Sequence, residues 1–163
     1  MGIAYGAALT ASQPTDPWYE GILPDWTVLS SIAVEPRDVY YDSSSEFIYY
    51  VDTFYDRIVK TKIDGSNVTT FGSSGSGTNQ FDDPEGIYYD SSSEFIYILD
   101  TGNYRIVKTK IDGSGWSTFG SYGSGTNQFD YPEGIHYDSS NGFIYVADYD
   151  NNRIVRFRES LIT

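Results

Sequence analysis

The sequence predicts an all-β protein, and three observations carry that prediction. Aromatic residues make up 17% of the chain, with Tyr 16, Phe 9 and Trp 3, and tyrosine and phenylalanine favour strands. Gly 16, together with many serines, supplies tight turns. The third observation is a repeat. Asp42-Ser43-Ser44-Ser45-Glu46-Phe47-Ile48-Tyr49 returns unchanged as Asp90 to Tyr97, 48 residues later, and returns in altered form as Asp138 to Tyr145. Pro36, Pro84 and Pro132 keep the same spacing, as do Asp52, Asp100 and Asp148, and Arg57, Arg105 and Arg153. Residues 42–84 and 90–132 differ at only ten of 43 positions, so each repeat is one structural unit built on one plan.

Within the second unit the strands can be placed in order. Ile87-Tyr88-Tyr89 is a short apolar strand, and Asp90-Ser91-Ser92-Ser93-Glu94 is a polar turn. Phe95-Ile96-Tyr97-Ile98-Leu99 is apolar on both parities, so both of its faces are buried between neighbours. A connection from Asp100 to Tyr104 leads into Arg105-Ile106-Val107-Lys108-Thr109-Lys110-Ile111. Asp112-Gly113 reads as a hairpin turn, and Trp116-Ser117-Thr118-Phe119 follows as a fourth strand. Four short antiparallel strands per unit make one blade of a β-propeller. The expected architecture is therefore three four-stranded antiparallel blades, at about 32–72, 80–120 and 128–158, in a domain spanning 25–163.

Pro132-Glu133-Gly134-Ile135, Ile144-Tyr145-Val146-Ala147-Asp148 and Asn151-Asn152-Arg153-Ile154-Val155 together resemble the NHL repeat of β-propellers. The resemblance covers three repeats, about residues 32–158. The second copy keeps Asp100, Asn103 and Arg105. The first departs from the pattern, with Tyr55 in place of the Asn and Arg37-Asp38 in place of Glu-Gly. The resemblance implies a six-bladed ring as a common size.

Three blades cannot close a ring, which takes four to eight. Aligned on Arg158 and Lys110, Thr163 falls at Gly115, ahead of a fourth strand in the third blade. Trp26-Thr27-Val28-Leu29 matches Trp116-Ser117-Thr118-Phe119 and is a spare outer strand. The expectation is a half-ring that closes as a homodimer by exchanging residues 26–29. A fragmentary or engineered half-propeller without a ligand is the alternative. Residues 1–24 lie outside the repeat and read as an N-terminal arm without the basic start of a signal peptide.

Composition limits the chemistry. With Cys 0 and His 1, disulfides, thiolate metal sites and polyhistidine sites are excluded. Lys+Arg 10 against Asp+Glu 23 gives a formal net charge of −13, which argues against nucleic acid and anionic membranes as partners. No run of about 18 apolar residues exists for a spanning helix.

Repetition turns most candidate catalytic groups into structural ones. Asp52, Asp100 and Asp148 each precede Arg57, Arg105 and Arg153 by five residues, a spacing at which a bidentate pair can lock the connection. His136 stands where Tyr40 and Tyr88 stand in the other copies. Asp148, Asp150, Asn151 and Asn152 have calcium-like spacing but lack the glycine and distant glutamate of an EF-hand loop, so no metal or other cofactor is assigned. Glu85 and Glu133 are one repeat position at the channel, without an accompanying nucleophile.

Variation between copies points to function instead. It concentrates in the second-to-third-strand connections and the loops before each inner strand, which open on one propeller face. The binding candidates there are Tyr55, Tyr104, Tyr131 and Tyr149, with Glu85 and Glu133 nearer the channel. The expected function is a non-enzymatic scaffold presenting loops to a protein or glycan. A virion or other extracellular assembly suits the composition. The enzymatic alternative is a metal-dependent lactonase- or lyase-like propeller.

Overall fold

The computed structural model describes residues 35–163 and places eleven strands there. The first blade holds β1 (Pro36–Asp42), β2 (Phe47–Asp52), β3 (Arg57–Lys62) and β4 (Thr69–Phe71). The second holds β5 (Pro84–Asp90), β6 (Phe95–Asp100), β7 (Arg105–Thr109) and β8 (Ser117–Phe119). The third holds β9 (Pro132–Asp138), β10 (Phe143–Asp148) and β11 (Arg153–Arg158). Every pairing is antiparallel between consecutive strands, giving two four-stranded sheets and one three-stranded sheet. The N-terminal arm and the spare strand expected at residues 26–29 lie outside the described residues.

Each inner strand is longer than its apolar run suggests, because it begins at the proline and passes through a register shift. Proline has no amide to give, so the start of a strand beside a bulge suits it. The second-to-third-strand connections form one-turn 3-10 segments, Thr53–Tyr55 and Thr101–Asn103.

The core lies between blades. On β6 and β7, Ile96, Ile98 and Val107 pack towards the first blade, against Tyr49, Val51, Ile58 and Phe71, with Phe81 of the loop entering the second blade in the same cluster. Tyr97, Leu99 and Ile106 project the other way, against Phe129, Ile144, Val146 and Phe157 of the third blade. Strict alternation of side chains along a strand makes this division. Ile48, Tyr50 and Val59 form a separate buried cluster on the other side of the first blade.

The inner strands β1, β5 and β9 pack side by side in that order. Tyr40 meets Tyr88 edge-on at 5.2 Å, and Tyr88 meets His136 edge-on at 5.1 Å. His136 thus takes the ring position that tyrosine holds in the other copies. Tyr49 stacks on Tyr89 at 4.2 Å, and Tyr97 lies on Tyr137 at 5.0 Å, the same contact one blade later.

Candidate functional site

The face formed by the second-to-third-strand connections and the loops before the inner strands is held together by main-chain bonds. Gly102 N–H donates to Asp82 O at 2.9 Å, and Tyr149 N–H donates to Tyr131 O at 3.2 Å. Thr53 and Thr101 hydroxyls donate to the carbonyls of Pro84 and Pro132, at 2.6 and 2.7 Å, tying each connection to the next blade. Tyr149 replaces the threonine in the third blade.

Beneath this face lie the buried aspartates. Arg57 binds a single oxygen of Asp52, with Nε at 2.8 Å and Nη2 at 2.7 Å from Oδ2. Arg105 Nε donates to Asp100 Oδ2 at 2.7 Å, while Nη1 and Nη2 reach the carbonyls of Ser76 and Gln80 at 2.8 and 3.1 Å. Arg153 does the same with Asp148, Ser124 and Gln128 at 2.7, 2.6 and 2.8 Å. The repeated arginine therefore pins the loop that enters its own blade as well as the connection beside it. Asn103 and Asn151 add bonds to Asp100 and Asp148 and to the carbonyls of Gly75 and Gly123.

Tyr55 fills the Asn position in the first blade, and the Arg57 guanidinium lies 4.7 Å from its ring centre. Burial pushes the Asp100 carboxyl above the ordinary carboxylate range, against the Asp82 amide, Asn103 and Arg105, which favour its charged form. Asp148 accepts from Arg153, Asn151 and the Asp130 amide. Among the described residues, no group of three His, Cys, Asp or Glu side chains is placed to hold a metal ion.

The predicted tyrosines separate into groups. Tyr104 meets Tyr122 edge-on at 4.8 Å and Tyr131 at 6.3 Å, so the second and third blades share one aromatic cluster. Tyr122 is 63% exposed and Tyr131 43%. Tyr149 is exposed beside them, joined through its amide to Tyr131. Tyr55 stands with Phe54 in the first blade, at 5.0 Å. Tyr104 and Tyr131 adopt left-handed backbone, with φ of 55° and 48°, unusual for a bulky residue. Desolvation raises the Tyr104 hydroxyl above its ordinary range, and Tyr131, Asp130, Tyr122 and Asp150 add to the effect.

Glu85 is half-buried and lies 4.0 Å from Arg37, whereas Glu133 is exposed. Burial raises the Glu85 carboxyl above its ordinary range; Arg37 opposes this, and Glu133 and Asp83 add to it. Tyr122 was not among the candidates read from the sequence. Its signal was Ser74 at the same position of the preceding copy, within a loop otherwise nearly unchanged.

The third blade differs from the other two at its edge. β3 and β7 pair with β4 and β8, whereas among the described residues no strand pairs with the outer edge of β11. A groove of about 650 Å³ runs along that edge, walled by Phe119, Phe129, Phe157 and Arg153. Phe157 stacks on Phe119 at 4.5 Å. It occupies the aromatic corner that Trp116 fills beside Phe71 and Phe81 in the preceding blade.

Residues 129–157 match the family described as NHL repeat. Among solved structures, the chain is similar to a chain of the nidogen/laminin complex, at 19% identity and a TM-score of 0.66, over 80% of this chain and 46% of that one. It is also similar to virginiamycin B lyase from Staphylococcus aureus, at 17% identity and a TM-score of 0.57, over 81% of this chain and 41% of that one. A Bacteroides thetaiotaomicron protein described as of unknown function is 26% identical, with a TM-score of 0.60, over 76% of this chain and 34% of that one. The chain spans less than half the length of each. No curated protein matches it. One NHL repeat is matched at 129–157, and the three blades built on one 48-residue plan have the β-propeller fold.

Proposed function

We propose that the chain is a non-enzymatic interaction module whose three blades form half of a six-bladed ring, completed by a second copy, with its tyrosine-bearing loop face turned to a protein partner. The open edge and face of the third blade carry this reading. Ile58 and Ile106 are fully buried by the following blade, while their counterpart Ile154 is 72% exposed. Continuing the internal pattern by one blade sets Tyr145 of one copy on Tyr41 of the next, as Tyr49 sits on Tyr89. It also brings Glu133 beside the second copy's Arg37, as Glu85 lies beside Arg37 within the chain.

The match of Trp26-Thr27-Val28-Leu29 to Trp116-Ser117-Thr118-Phe119 nominates residues 26–29 for the exchange. If residues 26–29 paired with β11 as β8 pairs with β7, where Val107 opposes Thr118, Val28 would stand opposite Val155. The chain has Cys 0, which makes a cysteine pair a clean probe. Directly opposed strand residues lie within disulfide reach. The double variant Val28→Cys with Val155→Cys is expected to cross-link between chains on oxidation, and light scattering to give about twice 18.3 kDa. A monomer of 18.3 kDa without a cross-link between chains overturns the ring closure.

A further inference from the structure

In the cluster of Tyr104, Tyr122 and Tyr131, at the junction of two blades, Tyr122 and Tyr131 are exposed and Tyr104 is half-buried. Half-buried Asp130 and exposed Asp150 stand in the same loops, with Asp150 N–H donating to Asp130 O at 3.1 Å. Exposed Asp82 and Asp83 extend the carboxylates along the preceding connection. Arg105 and Arg153, the basic residues of these two blades closest to the loops, turn inward onto Asp100, Asp148 and loop carbonyls.

Aromatic faces attract cations, more strongly where carboxylates stand close by. The molecule shows this pairing at its own first blade, where Arg57 lies over Tyr55. Among the described residues, the other cation–ring contacts fall on Phe47, Tyr49, Phe95, Trp116 and Phe143, and none falls on Tyr104, Tyr122 or Tyr131. The second and third blades thus offer a cluster of rings without a guanidinium, in a chain of formal net charge −13.

We propose that the Tyr104–Tyr122–Tyr131 cluster, flanked by Asp130 and Asp150, is a recognition site for arginine or lysine side chains on a basic segment of a protein partner. This rests on the loop-face reading above and names the chemistry of that partner. The rings supply selectivity and orientation through the cation–π contact, and the carboxylates supply long-range attraction. Anionic glycans and acidic peptides are rejected by the same charges.

The test uses the full chain and a short arginine-glycine peptide, beside the same peptide with citrulline replacing each arginine, which keeps the shape and removes the charge. The ring variant is Tyr104→Asn with Tyr122→Ser. Both new residues are those of sister repeats, Asn152 and Ser74, so the fold tolerates them. The arginine peptide is expected to bind wild type, the citrulline peptide to bind at least tenfold more weakly, and the ring variant to lose about tenfold in affinity for the arginine peptide. Asp130→Asn with Asp150→Asn is expected to weaken binding and flatten its salt dependence.

Equal binding of the arginine peptide to wild type and the ring variant overturns the site, leaving only attraction to an acidic surface. Equal binding of both peptides to wild type, lost in the ring variant, overturns the cation chemistry but keeps the loop face as a contact surface. Failure of the arginine peptide to bind wild type at low salt also overturns the cation chemistry.

Discussion

The second and third blades share a plan but not an environment. Tyr97, Leu99 and Ile106 of the second are buried against the third. Their counterparts Tyr145, Ala147 and Ile154 line shallow hollows open to solvent. The difference is not in strand formation, because β10 pairs with β9 and β11 residue for residue as β6 does with β5 and β7. Main-chain pairing is set within a blade, whereas the burial of Tyr97, Leu99 and Ile106 is supplied by the next blade. A repeat architecture divides its stability in this way, into intrinsic units and nearest-neighbour interfaces.

That division predicts the largest contrast among single substitutions. Ile106→Ala removes a fully buried side chain and is expected to cost about 2–5 kcal/mol in chemical denaturation. Ile154→Ala changes an exposed position and is expected to cost under about 0.5 kcal/mol within one chain. If the ring closes, Ile154→Ala also raises the concentration at which the dimer dissociates, read by light scattering on dilution. Equal losses of chain stability from the two variants would mean that burial by the following blade is not what separates them.

A second contrast concerns the lock beneath the loop face. In the second blade Asp100 is fully buried and Arg105 is 15% exposed, so the pair is well withdrawn from water. Removing only the cation leaves a buried carboxylate without its partner and frees the carbonyls of Ser76 and Gln80. Arg105→Met is expected to cost about 3 kcal/mol. Asn103→Ala, which removes one amide donor, is expected to cost about 1 kcal/mol. Exposed Arg158 carries the same charge without a buried partner, and Arg158→Met is expected to stay within about 0.5 kcal/mol. A loss for Arg105→Met as small as that for Arg158→Met would show that the lock is dispensable.

How much of this was legible depended on the range of the interaction. The blades followed from spacing and alternation, as at Phe95 to Leu99, because a strand buried on both faces leaves apolar residues on both parities. The Asp–Arg pairing was visible because its members are five residues apart. The two free arms of Arg105 were not, since they reach carbonyls 25–29 residues earlier and backbone carries no sequence signature. Asp38 is similar. It stands where the next repeat has Gly86, and its Oδ2 accepts from Ile87 N–H at 2.9 Å, bracing one blade on the next. The 3-10 turns at Thr53–Tyr55 and Thr101–Asn103 span too few residues to show a period. Tyr104 and Tyr131 could be named as variable loop residues, but their convergence with Tyr122 depends on how adjacent blades are set together.

The smallest expected effect sharpens the comparison from the opposite face, where the turns scarcely vary. Asp42, Asp90 and Asp138 each gather the serines that follow. In the second blade Ser92 and Ser93 hydroxyls both donate to Asp90 at 2.7 Å. Burial works against the charged carboxyl of Asp90, yet these serine bonds outweigh it and hold the group below the ordinary carboxylate range. Asp42 is lowered chiefly by Ser45, and Asp138 chiefly by Ser140. A carboxyl held below its unfolded value contributes stability that is whole above about pH 4 and is lost as pH falls through the folded value. Ser93→Ala is therefore expected to cost about 1 kcal/mol at neutral pH. That deficit should shrink towards zero as pH falls through the folded value of Asp90, once the group is protonated in both folded and unfolded chains. Thermal melts of wild type and variant across the acid range measure it. A deficit that persists unchanged at the acid end would place the serine's contribution in packing of the turn, not in its bond to the carboxylate.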